Sequence, residues 1–294
     1  MADLAAPSLP VGPIGIVGLG LIGGSLGLDL QARGRVVRAL VHREATAERA
    51  RARGLATVVS TDGALLADCV LVVLALPLDR LLEPPPDLVA ALPQRAVITD
   101  VGSVKQPVLA CWRELHPRFV ASHPMAGTAL AGVEAGLAGL FAGRPWVATP
   151  EADTDPAALA AVQALAELLG AKWIRCGAIE HDRSVALISH LPVLASAALL
   201  TNADRAGAAS GLSLLVRTLA SSGFADTTRV GGGNPQLGTL MARCNREAVQ
   251  AALGSYRQQI EHIEQLLQQG DWPALQQLLE QASALRPEFV ASLS

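Results

Sequence analysis

Aromatic residues are scarce in this sequence of 294 residues, at 3%, and charged residues make up only 17%. Hydrophobic residues nevertheless account for 51%, so the core has to be built mainly from alanine, leucine and valine. A chain with so much apolar and so little charged sequence is not intrinsically disordered. Its length is enough for two domains of ordinary size.

Basic tracts and targeting segments are also missing. The net charge is −3, and no run of lysine or arginine predicts binding to nucleic acid or to an anionic membrane. Residues 1–13 lack the basic and apolar regions of a signal peptide and are predicted to form a loose tail. The aliphatic run 69–77 is shorter than the ~20 residues that span a bilayer. We therefore expect a cytoplasmic protein that binds neither nucleic acid nor membrane.

Cysteine is limited to four positions, and no two of them are close in sequence. There is no C-x-x-C pair and no histidine at metal-ligand spacing, so neither a metal centre nor a disulfide framework is predicted. The expected state is four reduced thiols in a reducing compartment, at Cys69, Cys111, Cys176 and Cys244.

Short aliphatic runs alternate with helical segments in the first half of the chain. Such unbroken aliphatic strands between helices indicate a parallel sheet covered on both faces. We predict an α/β domain of Rossmann type at residues 14–177. Its strands are expected at 14–17, 36–41, 70–76, 96–101, 119–122, 146–149 and 172–176, and its helices at 23–33, 45–53 and 156–169.

The pattern changes near Gly177, beyond which no strand is predicted. Segments rich in alanine, leucine and glutamine follow, with the spacing of apolar residues that is typical of helices. The second domain, residues 178–294, is therefore predicted to be all-helical. Its helices are expected at 182–206, 210–221, 235–269 and 272–284.

A G-x-G-x-x-G motif at residues 18–23 follows the first strand and opens a helix, the context of a dinucleotide-binding site. Gly18 would permit the tight turn, Gly20 the approach of a pyrophosphate, and Gly23 close packing of helix and strand. The helix start, including Leu21 and Ile22, would supply N–H groups to the phosphates. The alternative is a glycine-rich turn without a ligand.

The end of the second strand indicates which cofactor binds. NAD enzymes usually carry an acidic residue there, bonded to the ribose 2′-hydroxyl. This sequence has His42 and Arg43 instead, and no carboxylate before Glu44. A cationic Arg43 with His42 beside it favours the 2′-phosphate of NADP, although an exposed arginine without a ligand is the alternative. Leu76 and Pro77, which end the strand at 70–76, are also expected to contact the cofactor.

Three further segments carry polar residues that could perform chemistry. Two of them, 99–105 and 122–128, follow predicted strands of the sheet, and ligands of open α/β sheets bind at such carboxyl ends. The third, 189–192, places His190 in an apolar helical segment. Each has a structural alternative, since loop residues often cap turns and a lone histidine is often a core residue.

These segments, in this order, resemble the prephenate/arogenate dehydrogenases of tyrosine biosynthesis over nearly the whole chain. Within that family the sequence looks most like the short NADP-using arogenate dehydrogenases of cyanobacterial type. The resemblance rests on GLGLIGGS at 18–25, DVGSVK at 100–105, HPMAGT at 123–128, SHLP at 189–192, FADTTR at 224–229 and GNP at 233–235.

The resemblance implies a role for each matching residue. His123 corresponds to the histidine that engages the C4 hydroxyl of the substrate, and Ser103 to the serine near that hydroxyl and the cofactor. His190 corresponds to a second active-site histidine. Arg229 is implied to bind the ring carboxylate, with Asp226 on the same loop. Thr128, which ends the HPMAGT segment, is also expected to contact the substrate.

The family also implies a homodimer formed through the helical domain. We expect neither a fused chorismate mutase nor a C-terminal ACT domain, and tyrosine inhibition is left open. The reaction passes a hydride from C4 to the nicotinamide and releases the C1 carboxylate as CO2, which makes the ring aromatic. A histidine can accept the C4 hydroxyl proton near neutral pH, and no metal is needed.

The expected activity is therefore oxidative decarboxylation of L-arogenate to L-tyrosine with NADP. Prephenate is the alternative substrate, because it differs only in carrying a keto acid where arogenate carries an amino acid. More distant alternatives are a hydroxyacid dehydrogenase or pyrroline-carboxylate reductase with a Rossmann and a helical domain, and a cofactor-sensing protein without turnover. The HPMAGT segment disfavours the other dehydrogenases, and the pair His123 and Arg229 disfavours a mere sensor.

Overall fold

A computed structural model describes residues 8–128 and 130–290. Residues 1–7 of the predicted tail lie outside the described residues. The chain divides into two compact units. The sheet unit consists of the described residues up to Asp182 together with Asn234–Cys244, and the helical unit consists of Arg183–Gly233 and the described residues from Asn245 onward.

Six parallel strands form the main sheet, in the order β3-β2-β1-β4-β5-β6. All residues of β1, β4 and β5 are buried, which explains why aliphatic residues dominate β1 and β4 and begin β5. The predicted Rossmann-type fold is therefore confirmed. The strands are β1 (Ile14–Val17), β2 (Val37–Leu40), β3 (Val58–Ser60), β4 (Leu71–Leu74), β5 (Val97–Asp100) and β6 (Phe119–Val120).

Both faces of this sheet are covered by helices. Along β4, Leu71 and Val73 join one hydrophobic cluster while Val72 and Leu74 join the other, as alternation along a strand requires. The helices are α1 (Leu21–Ala32), α2 (Glu44–Ala52), α3 (Leu78–Leu82), α4 (Pro86–Ala91), α5 (Gln106–Leu115) and α6 (Pro156–Leu168). The predicted cap of α6 is present, since the Asp155 carboxylate accepts from the N–H of Ala157.

Part of the strand prediction is wrong, because the structure contains a second, three-stranded sheet. It consists of β7 (Ser122–Pro124), β8 (Pro145–Ala148) and β9 (Lys172–Arg175), and β7 runs antiparallel to β8. The predicted strand 119–122 is thus two short strands in different sheets, and the last two predicted strands do not extend the parallel sheet. Apolar runs show that strands are buried, but they do not reveal which strands pair.

The remaining helices confirm the all-helical prediction for the described part of the second domain. They are α7 (Ala178–Val185), α8 (Leu191–Ala209), α9 (Ser213–Leu219), α10 (Ser222–Thr228), α11 (Pro235–Cys244), α12 (Arg246–Gln269) and α13 (Trp272–Val290). The single helix predicted at 235–269 is in fact α11 and α12, interrupted at Asn245. Helix α11 belongs to the sheet unit, where Leu240 joins the hydrophobic cluster that contains α5.

One helical stretch, Ala178–Ala209, is long and apolar enough to cross a membrane by length and composition alone. It has 32 residues, and an 18-residue window in it has a mean hydropathy of 1.7 and is 22% buried. The sequence interpretation, which considered only residues 69–77, did not identify it. Helices that are covered by other parts of a protein pass the same test, so this stretch is weak evidence for a membrane segment.

Candidate active site

The three glycines of the motif differ in what surrounds them. Gly18 has a φ of +93°, and a Cβ there would lie 2.5 Å from the carbonyl oxygen of Ala75. At Gly23 a Cβ would lie 2.0 Å from the carbonyl oxygen of Gly18. Nothing lies within 4 Å of a Cβ built on Gly20. Gly18 and Gly23 are therefore required by the fold, whereas Gly20 faces open space that suits a bound group.

Helix α1 begins in that open space. It starts at Leu21, with Gly20 as its N-cap and no side-chain hydrogen bond to the cap. The N–H groups of its first turn, which include those of Leu21 and Ile22, carry the positive end of the helix dipole. A dinucleotide pyrophosphate fits this arrangement, because the backbone can approach closely at Gly20 and the helix favours negative charge.

The different surroundings of Gly20 and Gly23 give a paired prediction. Gly20→Ala should leave the melting temperature nearly unchanged and weaken cofactor binding by about tenfold or more, because its methyl group would occupy the cradle. Gly23→Ala should instead destabilise the sheet unit by about 1–3 kcal/mol, since the clash is with backbone. Cofactor titration and thermal unfolding of both variants measure the two effects. A Gly20→Ala variant with unchanged cofactor affinity would contradict the prediction that the open space at Gly20 holds the pyrophosphate.

His42 and Arg43 follow β2, and both are exposed. Arg43 is the N-cap of α2. The next residue, Glu44, pairs with Arg51 at 2.6 Å. The carboxylate nearest to the end of β2 is therefore held by an arginine of its own helix, and Arg43 is left as the accessible charge at this position.

The other residues predicted to bind the cofactor lie at the ends of neighbouring strands. Leu76 and Pro77 follow β4, and the Leu76 side chain comes within 3.4 Å of a Cβ built on Gly18. Ser103 follows β5, and its Oγ is buried without a hydrogen-bond partner among the described residues. The four strands β2, β1, β4 and β5 are adjacent and parallel. All of these residues therefore lie at the carboxyl-terminal side of the sheet.

A buried polar network surrounds Asp100, the last residue of β5. The Lys105 ammonium forms an ion pair with the Asp100 carboxylate and donates to the Ser122 carbonyl at 2.8 Å. Burial lowers the pKa of Lys105, and the Asp100 carboxylate opposes that shift. Asp100 also accepts from the N–H groups of Gly102 at 2.8 Å and Ser122 at 3.0 Å. The network therefore fixes the backbone next to His123, the residue that follows Ser122.

His123 lies on β7, opposite Val147 of β8, and is half-buried. Its Nδ1 is 3.0 Å from Nε2 of His181. The Nδ1 of His181 is in turn 2.8 Å from Oδ1 of Asp182. This chain of two imidazoles and a carboxylate lies within the sheet unit, and it provides a histidine that can accept or donate a proton.

The loop after β7 carries Thr128. The N–H of Met125 donates to the Pro145 carbonyl at 2.8 Å, which anchors the start of the loop to β8. Thr128 is exposed, and its hydroxyl accepts from the N–H of Leu130 at 3.2 Å.

The other three predicted site residues belong to the helical unit. His190 ends a π-helical turn, Ala186–His190, and is 1% exposed, with its Nδ1 3.3 Å from the Asn245 side-chain nitrogen. Asp226 lies on α10, and Arg229 is its C-cap. Both are exposed. The expectation that they share a loop is wrong, because residues 222–228 form a helix.

The cysteines offer no reactive thiol. All four are free, and burial raises the pKa of each thiol, to about 11 for Cys69. A thiolate nucleophile is therefore disfavoured at neutral pH.

Sequence reasoning missed His181 and Asp182. The predicted change of domain lies close to these residues, but a predicted helix that begins at residue 182 gives no reason to assign them a role. The available signal was the run of titratable residues Glu180, His181, Asp182 and Arg183, which begins five residues after the end of the last strand and precedes an apolar segment.

Comparison with known proteins agrees with this architecture. Residues 26–175 match the nucleotide-binding domain of prephenate dehydrogenase, and residues 178–281 match its dimerization domain. A cyclohexadienyl dehydrogenase of Zymomonas mobilis is 34% identical over 236 residues, which are 76% of this chain and 78% of that protein.

Two solved structures are similar over almost their whole length. Synechocystis arogenate dehydrogenase is 40% identical with a TM-score of 0.82, over 95% of this chain and 100% of that one. Prephenate dehydrogenase from A. aeolicus, in complex with hydroxyphenyl propionate and NAD+, is 26% identical with a TM-score of 0.84, over 96% and 99% of the two chains. With a nucleotide-binding domain and a dimerization domain both matched, the chain belongs to the prephenate dehydrogenase family of oxidoreductases.

Proposed function

We propose that this enzyme converts L-arogenate to L-tyrosine by oxidative decarboxylation, with NADP as the hydride acceptor. The observation that carries the proposal is the placement of Gly20, Ser103 and His123 in one unit, after strands of the dinucleotide-binding fold. The 40% identity to Synechocystis arogenate dehydrogenase favours arogenate. Prephenate is the second candidate, because two of the curated relatives are prephenate dehydrogenases of Bacillus subtilis and Lactococcus lactis.

His123 is the proposed proton acceptor of the reaction. When bound, the nicotinamide accepts the hydride that leaves C4 of the substrate ring. His123 takes the proton of the C4 hydroxyl as the carbonyl forms. Ser103 offers its buried Oγ as a hydrogen-bond partner to that hydroxyl. Loss of CO2 from C1 then makes the ring aromatic, so the main task of the chain is to position the substrate.

We assign binding roles to four further residues on the strength of the family resemblance. Arg229 binds the ring carboxylate, because a guanidinium pairs with a carboxylate through two parallel hydrogen bonds. Asp226, one helical turn earlier, and Thr128 of the HPMAGT segment contact the substrate. His190 is proposed as a second histidine of the active site.

The substrate and cofactor are tested together by steady-state kinetics of the full chain. Four combinations are compared, arogenate or prephenate with NADP or NAD, by following absorbance of the reduced cofactor. The proposal predicts the highest kcat/KM for arogenate with NADP. A higher value with prephenate would make 4-hydroxyphenylpyruvate the product, and no turnover in any combination would refute the proposed activity.

Arg43 gives the cofactor prediction. Arg43→Asp should reduce kcat/KM with NADP by about 10- to 100-fold, the value of one charge-assisted contact with the 2′-phosphate. The matched control is Arg95→Asp, because Arg95 is an exposed arginine just before β5, at the opposite edge of the sheet. If both variants keep the preference of the wild type, Arg43 does not bind the phosphate.

We also propose that the enzyme is a cytoplasmic homodimer that forms through the helical unit. Large apolar side chains are exposed there, among them Trp272 at 62% and Phe289 at 69%. A groove of about 570 Å³ between α8 and α12 is lined by Leu194, Leu253 and Ile260. A second copy that covers these side chains would remove them from water. Light scattering after size exclusion should give twice the chain mass of 30.4 kDa.

A further inference from the structure

His181 and Asp182 have no part in the roles assigned above, yet His181 contacts His123 directly and Asp182 contacts His181. Both are almost completely buried, at 2% and 4% exposure. The rings of His123 and His181 meet edge to face, with centroids 5.2 Å apart and an interplanar angle of 71°. The 3.0 Å contact therefore joins defined ring nitrogens, Nδ1 of His123 and Nε2 of His181.

The Asp182 carboxylate fixes the direction of these hydrogen bonds. Its Oδ1 accepts from the backbone N–H of Lys105 at 2.7 Å, and its Oδ2 accepts from that of Gln106 at 2.9 Å. These N–H groups lie at the N-terminus of α5, where a negative charge is stabilised. Because an ionised carboxylate only accepts hydrogen bonds, the proton between Asp182 and His181 has to be on Nδ1 of His181.

The tautomer of His123 follows from that of His181. A neutral His181 with its proton on Nδ1 has an unprotonated Nε2, which acts as an acceptor. His123 must then donate from its own Nδ1. A neutral His123 with a proton on Nδ1 carries its lone pair on Nε2, and this nitrogen can take up a proton.

We propose that His181 and Asp182 are positioning residues that hold His123 in the tautomer whose Nε2 accepts the substrate proton. The inference rests on the proposed function of His123 as proton acceptor. After the transfer, Nδ1–H of the His123 cation still donates to His181, and His181 still donates to Asp182. The carboxylate thereby stabilises the new positive charge through one intervening imidazole, as an aspartate does for the histidine of a catalytic triad.

Two substitutions of His181 separate tautomer control from simple packing. His181→Leu removes the acceptor, and kcat should fall about 10- to 100-fold with a smaller change in KM, as expected when a catalytic group loses its orientation. His181→Gln places an amide oxygen near the former Nε2, where it can accept from His123. This variant should therefore keep kcat within about tenfold of the wild type.

His116→Leu is the matched control, because His116 is also a histidine of the sheet unit with 2% exposure. Its ring nitrogens contact the Pro93 carbonyl and the Arg118 N–H, not the His123 chain. It should lower the melting temperature much as His181→Leu does, and leave kcat unchanged.

The direct readout is the ¹⁵N NMR spectrum of the ring nitrogens in full-length protein with labelled histidine, assigned by comparison with His123→Asn. In the wild type, the neutral form of the His123 ring should carry its proton on Nδ1. The His181→Gln and His116→Leu variants should retain this tautomer, and His181→Leu should lose it. Even if His181→Leu does not fold, the spectra of the wild type and of His181→Gln decide the question.

Two results would overturn the inference: a wild-type His123 protonated on Nε2, or a folded His181→Leu variant with unchanged kcat. Absence of wild-type turnover with arogenate and prephenate would instead refute the proposed function. The NMR result would still report the tautomer in that case, so the two failures are distinguishable.

Discussion

Replacing His123 by asparagine is expected to lower kcat by about 100- to 10,000-fold, the usual value of general-base catalysis. Asparagine keeps a hydrogen-bonding group at this position of β7 but cannot accept the proton of the C4 hydroxyl. In the wild type, kcat/KM should fall toward acidic pH, because the proton acceptor must be neutral. Steady-state kinetics as a function of pH measure both effects.

Two other variants serve as comparisons for His123→Asn. Arg229→Ala should raise KM strongly and leave cofactor affinity nearly intact, because its proposed partner is the substrate carboxylate. His190→Asn should weaken substrate binding more than it slows the chemical step. If His190→Asn abolished turnover and the acidic limb of the pH profile while His123→Asn retained both, the two histidines would have exchanged roles.

The elements that the sequence predicted well are those with strong local signals. Strands β1 and β4 are buried and almost entirely aliphatic, β5 begins with a valine and an isoleucine, and α6 has an Asp-Pro start. Strand β3 was not predicted, because it has only three residues and Val59 is the buried one. The switch between sheets at Ala121 also left no periodic signal, since it depends on which strands Val120 and His123 pair with.

In the candidate site, too, the residues with a local sequence signal were predicted and those defined by long-range contacts were not. The glycine motif can be recognised in the sequence, because the turn and the close approach of backbone require glycine at fixed spacing. The His181–Asp182 pair does not, because its meaning depends on contacts across 58 residues to His123 and across 77 residues to Lys105. Long-range hydrogen bonds of this kind follow from the fold, and periodicity along the chain does not contain them.

Replacing Lys105 by methionine is expected to lower the free energy of unfolding of the sheet unit by about 3–5 kcal/mol, because it leaves a buried carboxylate without its cation. Both Lys105 and Asp100 have fully buried side chains. The two backbone N–H groups that also contact Asp100 stay in place, but they do not neutralise its charge. Urea unfolding followed by tryptophan fluorescence reports mainly this unit, because three of the four tryptophans lie in it and two of them, Trp112 and Trp146, are fully buried.

Lys172→Met is the matched control for Lys105→Met, since Lys172 is exposed on β9 and the substitution is the same. It should change the stability by no more than about 0.5 kcal/mol. Adding Asp100→Asn to the Lys105→Met variant removes the uncompensated charge and should recover part of the loss, because the amide oxygen can still accept from backbone N–H. A Lys105→Met variant as stable as Lys172→Met would mean that the ion pair contributes nothing net. The second substitution would then destabilise the protein further, since the amide has one accepting oxygen where the carboxylate has two, and one of the two backbone N–H groups would lose its acceptor.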